Sequence, residues 1–441
     1  MKTVALSAIK VSPQRQRRIF EPGKMQEFTD NLRRTQLQNA PVLRIEGDDY
    51  VLVSGERRLR AIQDLALLGE QIRYDGALVP LGFIPYTLLS DLDPLAAEEA
   101  ELDENLHRVN LSWTEEAAAI KRLTALRTAQ AAARGAPPPP LSDIAVEITG
   151  HGINREREET RRKLILADHM DDPEVRAAKN PDDAWKLLKK KESLEKDRVL
   201  GEKVGRTFTA DLHKAFNEDS LDWLTKCPAE QFDVILTDPP YGMGADEFGD
   251  SGGLAAGAHG YVDDEASFTR ILSICQTELY RIAKAQAHLY WFCDIDQFHN
   301  IKLALSVAGW QVFRTPLIWY KKAGMRAPWP QSGPQRKYET ILYAVKGKRP
   351  VNLIAGDVLD YAPDSNLGHA AQKPVALFED LLRRSVKPGD SVLDPFCGSG
   401  PIFSAAHSLK CKATGIEMDT ASYGIAVKRI EALKSQLDLG L

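Results

Sequence analysis

One short apolar run that cannot continue constrains this chain more than any other feature. In QFDVILTDPPYG, residues 231–242, the segment Phe232 to Leu236 has the Val/Ile content and the length of a buried strand. It must stop at Asp238, Pro239 and Pro240, because neither proline has an N–H to give to a ladder. The ends of such strands are where α/β sheets place their chemistry. Asp238 can accept from an exocyclic amine there, and the stiff Pro239-Pro240 corner presents a carbonyl as a second acceptor. Tyr241 adds a face on which a planar ring can stack. A plain strand and turn would account for Asp-Pro alone, but not easily for the whole tetrapeptide.

A second stretch points the same way. SVLDPFCGSG, residues 391–400, reads as a buried strand over Ser391–Leu393, then a Gly-rich turn and a helix over 401–409. Gly398 and Gly400 allow close backbone approach to a ligand at that helix N-terminus. In ATGIEMD (413–419) a short strand ends in Glu417, placed to bind a ribose diol. A dinucleotide site would want GxGxxG, and GSGPIF lacks the third Gly.

Together the DPPY corner, the DPFCGSG turn and Glu417 resemble the DNA amino-methyltransferases that use S-adenosylmethionine, over roughly residues 201–435. The resemblance implies a Rossmann-like α/β sheet with Asp238, Pro239, Pro240 and Tyr241 at the catalytic corner. It also implies a cofactor seat containing Asp394, Phe396, Gly398, Gly400 and Glu417. DPPY precedes the cofactor turn, and HAAQKPVALFEDLL (369–382) lies directly before that turn; the order resembles the permuted, beta-class arrangement. That likeness implies that Gln372 and Lys373 line the methionine end of the cofactor, and that Asp211 of TFTADLHKAF contacts its adenine. The glycine-rich stretch 242–260, with seven glycines, fits a lid over a flipped nucleotide or a simple linker. Two further buried strands are expected at 287–294 and 314–324, with Trp291 and Trp319 either in the core or beside the target pocket. Residues 325–368 then remain as the room for target recognition.

The first ninety residues alternate short strands and helices. Val4–Ile9 starts them, and Gly23–Arg34 has helical periodicity. Pro41–Arg44 and Tyr50–Val53 read as strands around a turn at Gly47-Asp48. SGERRLRAIQDLALLGE (54–70) predicts a helix capped by Ser54, with positions 59, 62, 65 and 68 on one face. Taken alone, GERR is equally a solvated first turn. ELDENLHRVNLSWTEEAAAIKRL (101–123) leads into a second helix, capped by Ser112 or Thr114. GERRLRA followed by ENLHRVNLSWTEEA resembles the N-terminal domain of the ParB partition proteins. The resemblance implies a nucleoside triphosphate with Mg²⁺ at Gly55, Glu56, Arg57, Arg58, Asn105 and Arg108, where forked guanidiniums suit phosphates. Where that family has a Gly-containing turn, this chain reads TQLQNAP (35–41).

RGAPPPP forms a stiff hinge, after which residues 141–170 read as helix, Gly turn, helix, with Ser142 as the first cap. This is a helix-turn-helix pattern whose second helix would offer Asn154, Arg155, Arg157, Thr160 and Arg161 to duplex DNA. A purely structural helical pair is the competing reading. Residues 171–200 read as a helical linker or a phosphate-contacting face.

At 441 residues two or three domains are expected, and the net charge of −5 means that DNA contact must rest on local patches. Five cysteines show no CxxC pair and no His–Cys zinc spacing, which predicts reduced thiols, no metal and a cytoplasmic setting. No apolar run is long enough for a membrane span. The expected organisation is an α+β ParB-like domain (1–125), a helical helix-turn-helix region and linker (126–200), and a methyltransferase domain (201–441). The expected activity is methyl transfer from S-adenosylmethionine to an exocyclic amine of a flipped base in double-stranded DNA. Asp at the first DPPY position favours adenine N6, as a tendency of the family. Cytosine N4, an RNA substrate, or a ParB-like clamp with a non-catalytic cofactor domain are the alternatives. A homodimer is compatible with all of these.

Overall fold

The computed structural model describes residues 1–11, 22–106, 111–149, 154–240, 265–321, 337–363 and 373–438. It contains two compact units, Met1–Leu188 and Lys189–Leu441.

The first unit opens with β1 (Thr3–Ala5), β2 (Ile9–Lys10), α1 (Pro22–Arg34), β3 (Val42–Glu46), β4 (Asp49–Ser54) and α2 (Glu56–Leu67). Four short strands follow: β5 (Arg73–Tyr74), β6 (Ala77–Leu78), β7 (Phe83–Pro85) and β8 (Thr87–Leu88). The hairpin β3–β4 sits inside a small sheet ordered β2-β4-β3-β8. Leu43 and Leu52 from that hairpin meet Leu59, Ile62 and Leu65 of α2 in one core. The expected Ser54 cap is corrected: Ser54 ends β4, and Gly55 caps α2 at φ 100 with no side-chain bond. A Cβ at Gly55 would lie 3.1 Å from Pro41 Cα, so close strand–helix approach decides the residue here. Leu68 falls just past the helix end and is 65% exposed, so the apolar face stops at Leu65.

Helices complete this unit: α3 (Pro94–Leu106), α4 (Trp113–Ala133), α5 (Leu141–Thr149), α6 (Asn154–Asp168) and α7 (Pro173–Ala177), with α8 (Pro181–Val204) beginning in it. Ser112 caps α4 through a reciprocal box in which Glu115 N donates to Ser112 Oγ (3.2 Å) and Ser112 N to Glu115 Oε2 (2.8 Å). Ser142 is not a cap; α5 already starts at Leu141 after the proline run, and the Ser142 hydroxyl donates to Asp143. Arg127 ties α4 to Glu99 of α3 and Glu147 of α5.

The second unit begins inside α8, earlier than residue 201. Asp197, 5% exposed, pairs with Lys428, and a Cβ on Gly424 would lie 2.0 Å from the Asp197 carbonyl oxygen. Residues 189–200 therefore pack as part of the sheet domain.

That domain runs β9 (Thr207–Ala210), β10 (His213–Phe216), α9 (Ser220–Lys226), β11 (Phe232–Thr237), α10 (Glu265–Ile282), β12 (Ala283–Cys293), α11 (Ile295–Ala308), β13 (Gln311–Val312) and β14 (Leu317–Tyr320). It continues with β15 (Tyr338–Lys346), β16 (Val358–Asp360), α12 (Val375–Arg383), β17 (Ser391–Asp394), α13 (Pro401–Ser408), β18 (Lys412–Ile416) and α14 (Thr420–Asp438). The described strands form one sheet in the order β16-β14-β15-β12-β11-β17-β18-β10-β9, with β13 pairing β15. From β12 to β10 the neighbours are parallel, whereas β15 is antiparallel to β12.

Side chains alternate between two cores. Tyr290 and Phe292 of β12 pack with Phe378 of α12, Phe403 of α13 and Tyr423 of α14. Leu289, Trp291 and Cys293 point the other way, toward Leu224, Cys275 and Leu305 of α9, α10 and α11. Trp291 and Trp319 are both core residues, at 0% and 2% exposure. Of the range 325–368 expected to leave room for target recognition, residues 337–363 are described, and β15 and β16 occupy part of them, with β15 mid-sheet. The connection after β11 leads outward to β12, and that after β17 leads the opposite way to β18. A crevice opens at such a switch point, beyond the carboxyl ends of the strands.

Candidate active site

A cavity of about 400 Å³ lies at that switch point. Its walls include Asp238 and Pro240 after β11, the turn from Asp394 to Ser399 after β17, and Glu417 after β18. Asp219, Ser220 and Leu221 at the start of α9, Arg270 of α10, Lys373 and Asp419 also line it.

The Asp238 corner is built from charge pairs. Lys373 Nζ lies 2.5 Å from Asp238 Oδ2 and 3.3 Å from Glu339 Oε2. Glu339 also pairs with Lys321, which leaves β14 on the same edge. Burial alone would push the Glu339 carboxyl up, but Lys373 and Lys321 outweigh it and hold it at about 2. Burial pulls Lys373 down, and Asp238 and Glu339 more than reverse that, so its ammonium stays charged. Sequence reasoning placed Lys373 against the cofactor's methionine end; the structure places its ammonium on Asp238 while it still lines the cavity. Glu339 was missed altogether, because β15 was not foreseen.

The opposite wall is held by backbone. Glu417 accepts from Gly398 N (2.9 Å) and Asp419 N (2.7 Å), and burial pushes its carboxyl up to about 7. Asp394 accepts from Phe396 N at 3.1 Å, and complete burial pushes it well above the carboxylate range. Gly398 sits at φ 52, and a Cβ there would meet no atom of the described residues within 4 Å. Gly400 differs: it is not in the cavity wall, and a Cβ there would strike Phe403 Cδ2 at 2.6 Å. The lack of a side chain at Gly400 lets α13 pack against Phe403.

Asp211 is also corrected. It lies in the β9–β10 turn at φ 46, at the amino end of β10, while the cavity lies at the carboxyl ends of the parallel strands. Asp219, which follows β10, lines the cavity instead and caps α9 by accepting from Leu221 N (2.8 Å) and Asp222 N (3.0 Å). An Asp after the strand, at a helix start, was the available signal.

The remaining assignments divide. Tyr241, Arg108, Gln372 and the stretch 242–260 lie outside the described residues, and Asn105 is described only as part of α3. In the first unit Glu56 pairs with Arg60, Arg57 lies over the Phe28 ring at 4.5 Å, and Arg58 donates to the Ala40 carbonyl at 3.5 Å beside Gly55. On α6, Asn154, Arg155, Arg157 and Arg161 are exposed. Thr160 is 3% exposed, so it belongs to packing and not to a DNA-reading face.

A mixed sheet with a parallel centre, a switch-point cavity, a Gly turn at a helix start and an acidic residue after the next strand defines an α/β domain for a nucleotide-like cofactor. Comparison with known proteins makes this specific. Residues 232–428 match the DNA methylase family of N6 and N4 enzymes, and residues 1–73 match the ParB N-terminal domain. The Type II methyltransferase M.HpaI of Haemophilus parainfluenzae is 26% identical over 241 residues, covering 48% of this chain and 73% of that protein. The DNA adenine methyltransferase YhdJ of Escherichia coli (strain K12) is 26% identical over 253 residues, covering 48% and 81%. The Probable chromosome-partitioning protein ParB of Chlamydia pneumoniae is 37% identical over 125 residues, 27% of this chain and 39% of that protein. Among solved structures, the M1.HpyAVI–SAM complex aligns at 20% identity with a TM-score of 0.38, covering 49% of this chain and 99% of that one. The cytosine-N4-specific PvuII DNA methyltransferase aligns at 16% and 0.40, covering 53% and 95%. The chain carries an N6/N4 DNA methylase domain together with an N-terminal ParB domain, and it is a DNA methyltransferase. No described helix is long and apolar enough to cross a membrane.

Proposed function

We propose that the chain transfers the methyl group of S-adenosylmethionine to N6 of adenine in duplex DNA. One observation carries the reading: Asp238 and the Gly398–Glu417 cradle line the same cavity. The wall residues fit the cofactor. Glu417 can accept from the ribose hydroxyls, Asp219 from an adenine amine, and the lack of a side chain at Gly398 allows close approach. With Asp394 kept protonated by burial, Asp219, Asp238 and Asp419, joined by Glu417 as it ionises, still outnumber Lys373 and Arg270 around the cavity, so its field favours a cationic ligand. The bound cofactor supplies an electrophilic methyl group on a sulfonium.

At the opposite corner Asp238 and the Pro239 carbonyl accept the two N–H bonds of the flipped base's amine. This localises the nitrogen lone pair and aims it along the line of attack, so rate comes mainly from orientation. Tyr241 stacks on the base. One relative is an adenine enzyme by its own name, and Asp at the first DPPY position favours adenine in the same way. Purified protein, labelled cofactor and duplex DNA test the proposal, with the product nucleosides separated. Label on cytosine N4 alone rejects adenine, label on RNA alone rejects DNA, and cofactor binding without transfer favours the clamp reading.

The helix-turn-helix residues Asn154, Arg155, Arg157 and Arg161 read the duplex, in keeping with their exposure on α6. A nucleoside triphosphate with Mg²⁺ at Gly55–Arg58, Asn105 and Arg108 is a separate part of the proposal; titration of the whole chain with triphosphates by calorimetry tests it.

A further inference from the structure

The reacting corner is wired to a strand that neither the DPPY motif nor the cofactor turn contains. Asp238, Lys373, Glu339 and Lys321 alternate in sign along one chain of contacts. Their side chains are 22%, 9%, 13% and 12% exposed, so water screens the chain little. Glu339 reaches it because β15 is antiparallel: its first residues start at the edge where β11 ends. Glu339 pairs in register with Trp319, whose strand ends beside Lys321.

A buried ion pair is a poor stabiliser, because desolvating both charges offsets most of their attraction. Two such pairs in series beside the amine-binding carboxylate therefore call for another reason. Lys373 has three N–H donors and would lie entirely against Asp238 if Asp238 were its only anion. With Glu339 Oε2 3.3 Å away, as an ion pair without a hydrogen bond, the charge of the ammonium is shared, and the four groups sum to zero charge. Asp238 can then turn toward an incoming amine without leaving a lysine unpaired.

We infer that Glu339 is a positioning residue for methyl transfer: by sharing Lys373 it sets where the Asp238 carboxylate points. This rests on the methyltransferase reading above. Glu339 touches neither substrate in that reading, so its effect belongs to the step in which the amine is oriented. Cofactor seating depends on Glu417 and Gly398 at the other wall, and it should be spared.

The test compares wild type, E339Q and the doubly neutralised E339Q/K321M, reading kcat on unmethylated duplex DNA of mixed sequence and cofactor affinity by calorimetry. E339Q should lose kcat on the order of 10- to 100-fold, as expected for a misplaced reacting group, with cofactor affinity little changed. The double variant repairs the charge balance and the fold but not the sharing of Lys373, so its kcat should stay below wild type. Wild-type kcat in E339Q or in the double variant overturns the inference, as does a loss confined to cofactor affinity. If E339Q fails to fold, the double variant alone decides by the same criteria. Absence of transfer by the wild-type protein overturns the methyltransferase reading and this inference with it; wild-type kcat in the variants overturns the inference alone.

Discussion

Two carboxylates face each other across one cavity, and they are held in opposite ways. Asp238 sits among buried cations, in a chain that keeps Lys373 charged and Glu339 ionised. Glu417 is held by backbone N–H groups, and burial outweighs them, so its carboxyl rises to about 7. The difference matches the tasks proposed for them. An acceptor that orients an amine needs a fixed direction, and the ion pair with Lys373 holds the Asp238 carboxylate in place. A seat for ribose hydroxyls and a cation can gain its full charge when the ligand arrives, at the cost of some pH dependence.

The sharpest way to break this comparison is to remove one wall at a time. Asp238→Ala should lower methyl transfer by on the order of 100- to 1000-fold, the scale of a lost transition-state hydrogen-bonding group. Cofactor affinity by calorimetry should be nearly intact. Parallel loss of both would merge the two corners into one. Gly398→Val should do the reverse. A β-branched residue at φ 52 costs about 1–3 kcal/mol of strain, and its methyls enter the space kept for the cofactor. Binding should fall by roughly 100-fold, about 2.8 kcal/mol. Retained binding would remove the turn from the seat.

Target recognition should be separable from both corners. Arg157→Ala and Arg161→Ala, on the exposed face of α6, should cost about 1–3 kcal/mol for each base edge that is no longer read. Gel-shift titrations should show this, with a shallower salt slope if phosphate pairing goes too. Cofactor affinity should not move.

The pH dependence of the Glu417 wall tests the comparison by titration. Its carboxyl rises from an ordinary 4.5 to about 7, so between those values the folded protein holds a proton that the unfolded chain has released. Glu417 therefore makes the cofactor-free protein less stable as pH rises through that window, with no further change above it. Cofactor affinity should move the other way, weakening by up to about tenfold per unit as pH falls below 7, because the ionised form accepts the ribose hydroxyls. Glu417→Gln should flatten both curves, as calorimetry and thermal melts across pH 5–8 (about the range where Glu417 titrates) would show. A steep pH dependence that survives that substitution would place the titrating group elsewhere.

Several elements were legible before any fold was known. β11 and β17 could be read from short apolar runs that stop at Asp-Pro, because the stop is a backbone property of proline. The capping box at Ser112 was equally local. What was not legible shares one cause. Asp211 and Asp219 flank the same strand, and only the direction of β10 in the sheet tells which of them faces the cavity. Gly400 and Gly398 share a turn, and only the packing of Phe403 tells them apart.

The sequence by itself determined that two buried strands end in chemistry-bearing turns, that a Gly turn and an acidic residue follow in cofactor spacing, and that a ParB-like block precedes them. Those are properties of consecutive residues. Tertiary structure alone decided that β15 enters the sheet antiparallel beside β12 and brings Glu339 to Lys373, whose ammonium rests on Asp238. It also decided that residues 189–200 pack with the sheet domain, through Asp197 and Lys428. Pairings across 34 and 231 residues leave no local pattern, since the energy of a contact depends on distance in space and carries no mark in the spacing of the chain.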